Sequence, residues 1–131
     1  MPAPSGECGQ SHRPDYADGE QCRDFIYVKD CAAVMLWLFQ SAVDSGILNV
    51  GSGQGRSCRQ LMEAVGLACG VAPIIEYVET PPALRSGYQY FTKAMVGKLR
   101  AAGYTTSFTP LKMAVSDFVT EYLAKEKDPY L

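Results

Sequence analysis

The stretch with the clearest chemical promise is Gly51-Ser52-Gly53-Gln54-Gly55, set between the apolar run Ile47-Leu48-Asn49-Val50 and a helical pattern that opens after Ser57. Glycines placed after a strand and before a helix let a backbone approach phosphate or ribose closely, and the helix N-terminus behind them favours negative charge. The dinucleotide fingerprint wants its third glycine three residues after the second, and Arg56 stands there instead. Two readings stay open: a nucleotide cradle, or a tight turn that needs glycine for positive φ.

Other reactive groups are sparse. His12 is the only histidine and lies in a polar stretch, so a Ser-His-Asp triad or a His-based metal centre has almost no material. His12 reads as a solvated tail residue. Five cysteines (Cys8, Cys22, Cys31, Cys58, Cys69) are an odd number without a Cys-x-x-Cys pair, which argues against both a disulfide framework and a structural zinc site. Free thiols and no metal are expected.

The elements that must position these groups follow from pattern and punctuation. Residues 1–19 are rich in Pro, Gly, Ser and charge, and read as a flexible N-terminal arm, with the ordered domain spanning 20–131. Phe25, Ile26, Tyr27 and Val28 suit a short strand, and Asp30 suits the N-cap of a helix over 31–43 that is apolar nearly all round. Asp44-Ser45-Gly46 stops that helix, and residues 47–50 follow as a short buried strand. Ser57 with Gln60 forms a capping-box pattern for a helix carrying Leu61, Met62, Ala64, Val65, Leu67 and Ala68, ended by Gly70 and Pro73. Ile74, Ile75, Tyr77 and Val78 read as a strand, and Pro81-Pro82 as a loop leading to Tyr88, Tyr90 and Phe91. Thr92 suits the cap of a helix running to Ala102 and closed by Gly103, while Thr109-Pro110 opens a last helix that Asp128-Pro129 ends. The fold class is α/β, with a small mixed sheet and about four helices.

A chain of 131 residues fits one compact domain, and 47% hydrophobic with 20% charged residues is ordinary for a globular protein. The formal net charge of -2 offers no basic face for nucleic acid. The longest apolar run, 31–39, is about half the roughly 20 residues a membrane helix needs. The first residues carry neither a basic start nor an apolar stretch, so no secretory signal is visible and a cytoplasmic location is expected.

Two longer similarities stand out. Glu20-Gln21-Cys22-Arg23-Asp24-Phe25-Ile26-Tyr27-Val28-Lys29-Asp30, an apolar helix, and Gly46-Ile47-Leu48-Asn49-Val50-Gly51-Ser52-Gly53 resemble the C-terminal half of extended short-chain dehydrogenase/reductase sugar-nucleotide epimerases. Gly87-Tyr88-Gln89-Tyr90-Phe91-Thr92-Lys93 and Lys98-Leu99-Arg100-Ala101-Ala102-Gly103-Tyr104 look most like the ADP-glyceromanno-heptose 6-epimerases of lipopolysaccharide core synthesis. This resemblance spans about Asp18 to Leu123 and makes the domain the substrate-binding portion of that fold.

The resemblance implies a cycle in which bound NADP takes hydride from the sugar and returns it to the opposite face. It also implies a Tyr-x-x-x-Lys pair and an N-terminal glycine-rich cofactor loop. No tyrosine of this sequence has lysine four positions on, so no catalytic and no cofactor-binding residue is assigned, and the chain is not expected to bind NADP or to be active alone. By the same resemblance Arg23 meets the nucleotide diphosphate and Tyr88 contacts substrate. The family's usual basic residue before that tyrosine is replaced by Gly87, and Arg85 is the substitute two positions earlier. Trp37, Asn49, Gly51 and Gly53 are assigned to holding the fold.

In full-length relatives the strand corresponding to residues 47–50 joins the cofactor sheet, so a homodimer or a separate N-terminal Rossmann-domain partner is expected to cover it. The functional expectation is a nucleotide-sugar-binding fragment of an NAD(P)-dependent epimerase. The alternative is a non-catalytic interaction or vestigial protein. The third reading is an S-adenosylmethionine-dependent methyltransferase, whose first motif the glycine loop resembles and whose strand-end acid Glu76 or Glu79 could mimic.

Overall fold

The computed structural model describes residues 5–124. Among these, helix α2 (Cys58–Cys69) forms as its caps dictate. Ser57 is extended and its hydroxyl accepts the Gln60 N–H at 3.2 Å, while the Gln60 side chain accepts the Ser57 N–H at 3.0 Å. Gly70 at φ 71° turns the chain out, and the Gly70 and Val71 N–H groups close on the carbonyls of Leu67 and Gly66. The apolar face of α2 packs along α5 (Leu111–Phe118), which continues as a π-helical turn over Val119–Leu123.

The strands depart from expectation. β1 (Ser5–Gly9) pairs in parallel with β4 (Ile74–Val78), from Ser5↔Ile74 to Gly9↔Val78. Part of the expected flexible arm is therefore a strand, and its Cys8 is buried. Glycines and alternation too short to register hid this strand, whose partner lies far along the chain. β2 (Cys22–Asp24) precedes the expected run and pairs antiparallel with β3 (Gly55–Ser57). The result is two separate two-stranded sheets, one parallel and one antiparallel, where one mixed sheet was expected.

Residues 47–50 form no strand, and Ile47 is 86% exposed. A strand exists only against a partner edge, and no described strand pairs with this segment, whose Leu48 packs against the core instead. Helix α1 (Val28–Gln40) starts three residues early, with extended Tyr27 before it and Asp30 inside its first turn. The Asp30 carboxylate instead accepts the Thr109 N–H at 2.7 Å and the Thr109 hydroxyl at 2.8 Å. Thr109 is thereby diverted from capping, and Pro110 occupies the cap position of α5. The helix end expected at Asp128 lies outside the described residues.

A short helix, α3 (Pro82–Arg85), occupies the expected Pro-Pro loop, with proline at its first position. The helix expected from Thr92 is only α4 (Gly97–Ala101), because the Thr92 N–H is held by the Cys22 carbonyl at 3.1 Å in an extended bridge. Gly103 at φ 107° follows it, as its place in the sequence predicts. The described helices thus number five, with the π-helical turn after the last. Val34, Leu99 and Tyr104 form the core, covered by Trp37, Leu38, Leu48 and Phe108. The other face of α1 stays uncovered: Met35, Leu36 and Phe39 are exposed. No helix among the described residues is long and apolar enough to cross a membrane.

Candidate functional site

Successive residues of a strand point to opposite faces, so β2 sends Arg23 and Asp24 to different neighbourhoods. The Arg23 guanidinium donates to the Cys22 carbonyl at 2.9 Å and lies 5.5 Å over the ring of Tyr88. None of the ion pairs among the described residues involves it. Arg23 and Tyr88, assigned by resemblance and far apart in the sequence, are thus brought into contact.

Tyr88 anchors an aromatic wall. Its ring sits edge-on to Tyr90 at 5.2 Å and to His12 at 6.0 Å. Tyr90 is buried, and its hydroxyl accepts the His12 backbone N–H at 2.9 Å and meets His12 Nδ1 at 2.8 Å. His12 is therefore a half-buried partner of this wall and not the solvated tail residue its polar surroundings suggest. Arg13 covers the rings of Tyr16 and Tyr90 at 5.6 and 5.3 Å. The wall borders an open cavity of about 680 Å³ that includes Arg13, Tyr16, Tyr88 and Lys93.

Arg85 has other partners. It donates to the Thr80 carbonyl at 2.9 Å and pairs with Glu79. These bonds hold its guanidinium against the end of β4.

Asp24, which sequence reading left without a role, organises the glycine loop. Its Oδ1 accepts the Ser52 N–H at 2.7 Å and the Ser52 hydroxyl at 2.5 Å. Its Oδ2 accepts the N–H groups of Gly53 at 3.0 Å and Ala94 at 2.8 Å. Burial pushes this carboxyl upward, but the bonds from Ser52, Ala94 and Gly53 outweigh it and hold it below the usual carboxylate range. A carboxylate of the chain itself thus occupies the backbone donors a phosphate would need.

Gly51 is required by the same packing. A Cβ there would lie 2.3 Å from Ala94 Cβ and 2.9 Å from Asp24 Oδ2. Gly53, at φ 72°, serves the turn. The tight-turn reading of the loop is the one the geometry fits. With its backbone donors held by Asp24, this loop does not suit the phosphates of a dinucleotide. The five cysteines are free, and no group of three or more metal-ligating side chains gathers among the described residues.

Residues 7–51 match the NAD dependent epimerase/dehydratase family. The chain is 50% identical over 122 residues to ADP-L-glycero-D-manno-heptose-6-epimerase of Nitratidesulfovibrio vulgaris, covering 93% of this chain and 38% of that protein. It is 41% identical over 128 residues to the enzyme of the same name from Fusobacterium nucleatum, with the same coverage. Among solved structures, UDP-glucose-4-epimerase from Stenotrophomonas maltophila, with bound NAD and formylated UDP-arabinopyranose, matches with a TM-score of 0.68 at 26% identity over 89% of this chain and 34% of that one. UDP-N-acetylglucosamine 4-epimerase from Methanobrevibacter ruminantium M1 shares the fold at 23% identity, with a TM-score of 0.67 over 90% of this chain and 34% of that one. The chain spans 38% of the length of the first of these curated relatives. Over most of its own length, then, the chain is similar to about a third of an extended short-chain dehydrogenase/reductase sugar-nucleotide epimerase, ADP-L-glycero-D-manno-heptose 6-epimerases among them.

Proposed function

We propose that the chain is the nucleotide-sugar-binding portion of an NAD(P)-dependent epimerase whose substrate resembles ADP-heptose, and that it serves lipopolysaccharide core synthesis. The observation that carries this reading is Arg23, a guanidinium in none of the ion pairs among the described residues, braced by the Cys22 carbonyl and the Tyr88 ring. Such a group offers two parallel N–H donors to phosphate oxygens. Tyr88 presents its ring to Arg23 and also borders the open cavity, where a sugar or ribose would sit against it.

Hydride and proton transfer are assigned to polypeptide outside this sequence: a separate Rossmann-domain partner, or the remainder of a longer chain. The uncovered face of α1 and the unpaired segment 47–50 are where such a partner, or a second copy, would pack.

Calorimetric titration with ADP and an ADP-sugar tests this. Saturable binding that Arg23→Ala weakens at least about tenfold is expected, since charge-assisted bonds are the strong ones. Absence of saturable binding overturns it and favours the second reading, an interaction or vestigial protein, for which the exposed Phe39 face speaks. S-adenosylmethionine serves as the comparison ligand. Its binding would need the loop donors that Asp24 holds.

A further inference from the structure

We propose that Arg56 is a second anion ligand, set opposite Arg23 across the β2–β3 ribbon, and that the face they share takes a diphosphate. This rests on the reading of Arg23 as a phosphate ligand and extends it to the residue that breaks the dinucleotide fingerprint.

The register pairs Arg23 directly with Arg56. Directly opposed residues of an antiparallel pair project from the same face, with Cβ atoms about 4.5–5.5 Å apart, and like charges so placed repel. Neither guanidinium has a carboxylate to relieve that repulsion among the described ion pairs. Arg23 has the Cys22 carbonyl and the Tyr88 ring, and Arg56, among the described residues, has the Gln54 amide oxygen at 2.5 Å.

Arg56 and Phe25 line a cavity of about 380 Å³ with Arg100, Ser52 and Ser107. Phe25 lies two residues beyond Arg23, just past the end of β2. The nearby acids are engaged elsewhere: Asp24 by the glycine loop, Asp30 by Thr109, and Glu63, which shares a neighbouring groove with Arg56, by Arg59 at 3.7 Å. Arg100 donates to the carbonyls of Tyr104 and Thr106, leaving Arg56 as the cation with donors to spare. An anion with two phosphoryl groups offers oxygens to both guanidiniums of the opposed pair and neutralises their repulsion, which a monophosphate does only in part.

Titration of the full chain with pyrophosphate, ADP and AMP at two salt concentrations tests this, using wild type, Arg23→Gln, Arg56→Gln and Arg56→Lys. Expected for Arg56→Gln are pyrophosphate and ADP binding weakened about tenfold, AMP binding changed by less than about threefold, and a shallower salt dependence. Arg56→Lys recovers part of the loss, and the ligand-free melting temperature of Arg56→Gln is unchanged or higher. If Arg23→Gln weakens binding while Arg56→Gln leaves it intact, this inference is overturned and the Arg23 reading stands. If wild type shows no saturable binding, both are overturned.

Discussion

Asp24 and Ser52 share two hydrogen bonds on one carboxylate oxygen, from the Ser52 N–H at 2.7 Å and the Ser52 hydroxyl at 2.5 Å. The other oxygen holds Gly53 and Ala94, so one side chain fastens β2, the glycine loop and the segment after Phe91 together. Hydrogen bonds to a charged group contribute about 1.5–3 kcal/mol each at most, and they are not additive. Asp24→Asn, which keeps one acceptor oxygen and loses the charge, is expected to destabilise by about 1–3 kcal/mol. Urea denaturation followed by circular dichroism measures it, and an unchanged midpoint would refute the role.

The pH dependence follows from the same group. The folded-state value of Asp24 lies below its ordinary 3.8, so its contribution is complete above about pH 4 and is lost as pH falls through the lower folded value. Wild type should lose stability on acidification through this range, and Asp24→Asn should lose less. Parallel acid titrations of the two proteins would contradict the assignment.

Gly51→Ala places a methyl group against Ala94 and the Asp24 carboxylate. Overpacking of this kind costs about 1–3 kcal/mol. Gly46→Ala, where a Cβ meets nothing within 4 Å, is the control and should fall within about 0.5 kcal/mol of wild type. Equal midpoints for the two variants would show that the loop yields without cost.

A second acidic cluster should behave differently. Asp117 accepts from Lys29 Nζ at 2.6 Å and from the Tyr27 hydroxyl, joining the start of α1 to α5. The Lys29 bond, then the Tyr27 bond, hold this carboxyl below its usual range. The pair is about half exposed and therefore screened by water and salt. Asp117→Asn is expected to shift the melting temperature less than Asp24→Asn, with the difference from wild type shrinking in high salt. A larger, salt-independent loss would rank the two clusters the other way.

The thiols offer a measurable order of reactivity. Burial first, and the neighbouring Cys58 second, push the Cys8 thiol up, and Cys8 is 2% exposed. Thiol titration should therefore return five groups in denaturant, with Cys8 reacting last in the native protein. Fewer than five would mean a bridge, and early labelling of Cys8 would mean that β1 opens readily.

Phe39 is 90% exposed, Met35 65% and Leu36 57%. Burying a large apolar side chain is worth roughly 1.5–3 kcal/mol, so covering this face would stabilise an assembly appreciably. Light scattering is expected to show a dimer, with Phe39→Glu shifting it to a 14.3 kDa monomer of unchanged helicity. A stable wild-type monomer at micromolar concentration would exclude self-association through α1.

What the sequence determined by itself is local. The capping box of Ser57 and Gln60 and the left-handed Gly70 and Gly103 each depend on neighbours within a few residues, and each formed where its pattern lay; the run Ile74–Val78 was legible by composition but is a strand only against the distant β1. The motif residues Arg23 and Tyr88 were legible by resemblance, but their contact was not. Tertiary structure decided that β1 finds β4, that His12 joins Tyr90, that the Asp24 carboxylate reaches Ala94, and that Arg23 faces Arg56. It also decided that residues 47–50, a strand by composition, pair with no described strand, while Leu48 packs against the core. Turns and caps are satisfied by the backbone beside them, whereas strand pairing and the partner of a carboxylate depend on segments many residues away, which local periodicity does not encode.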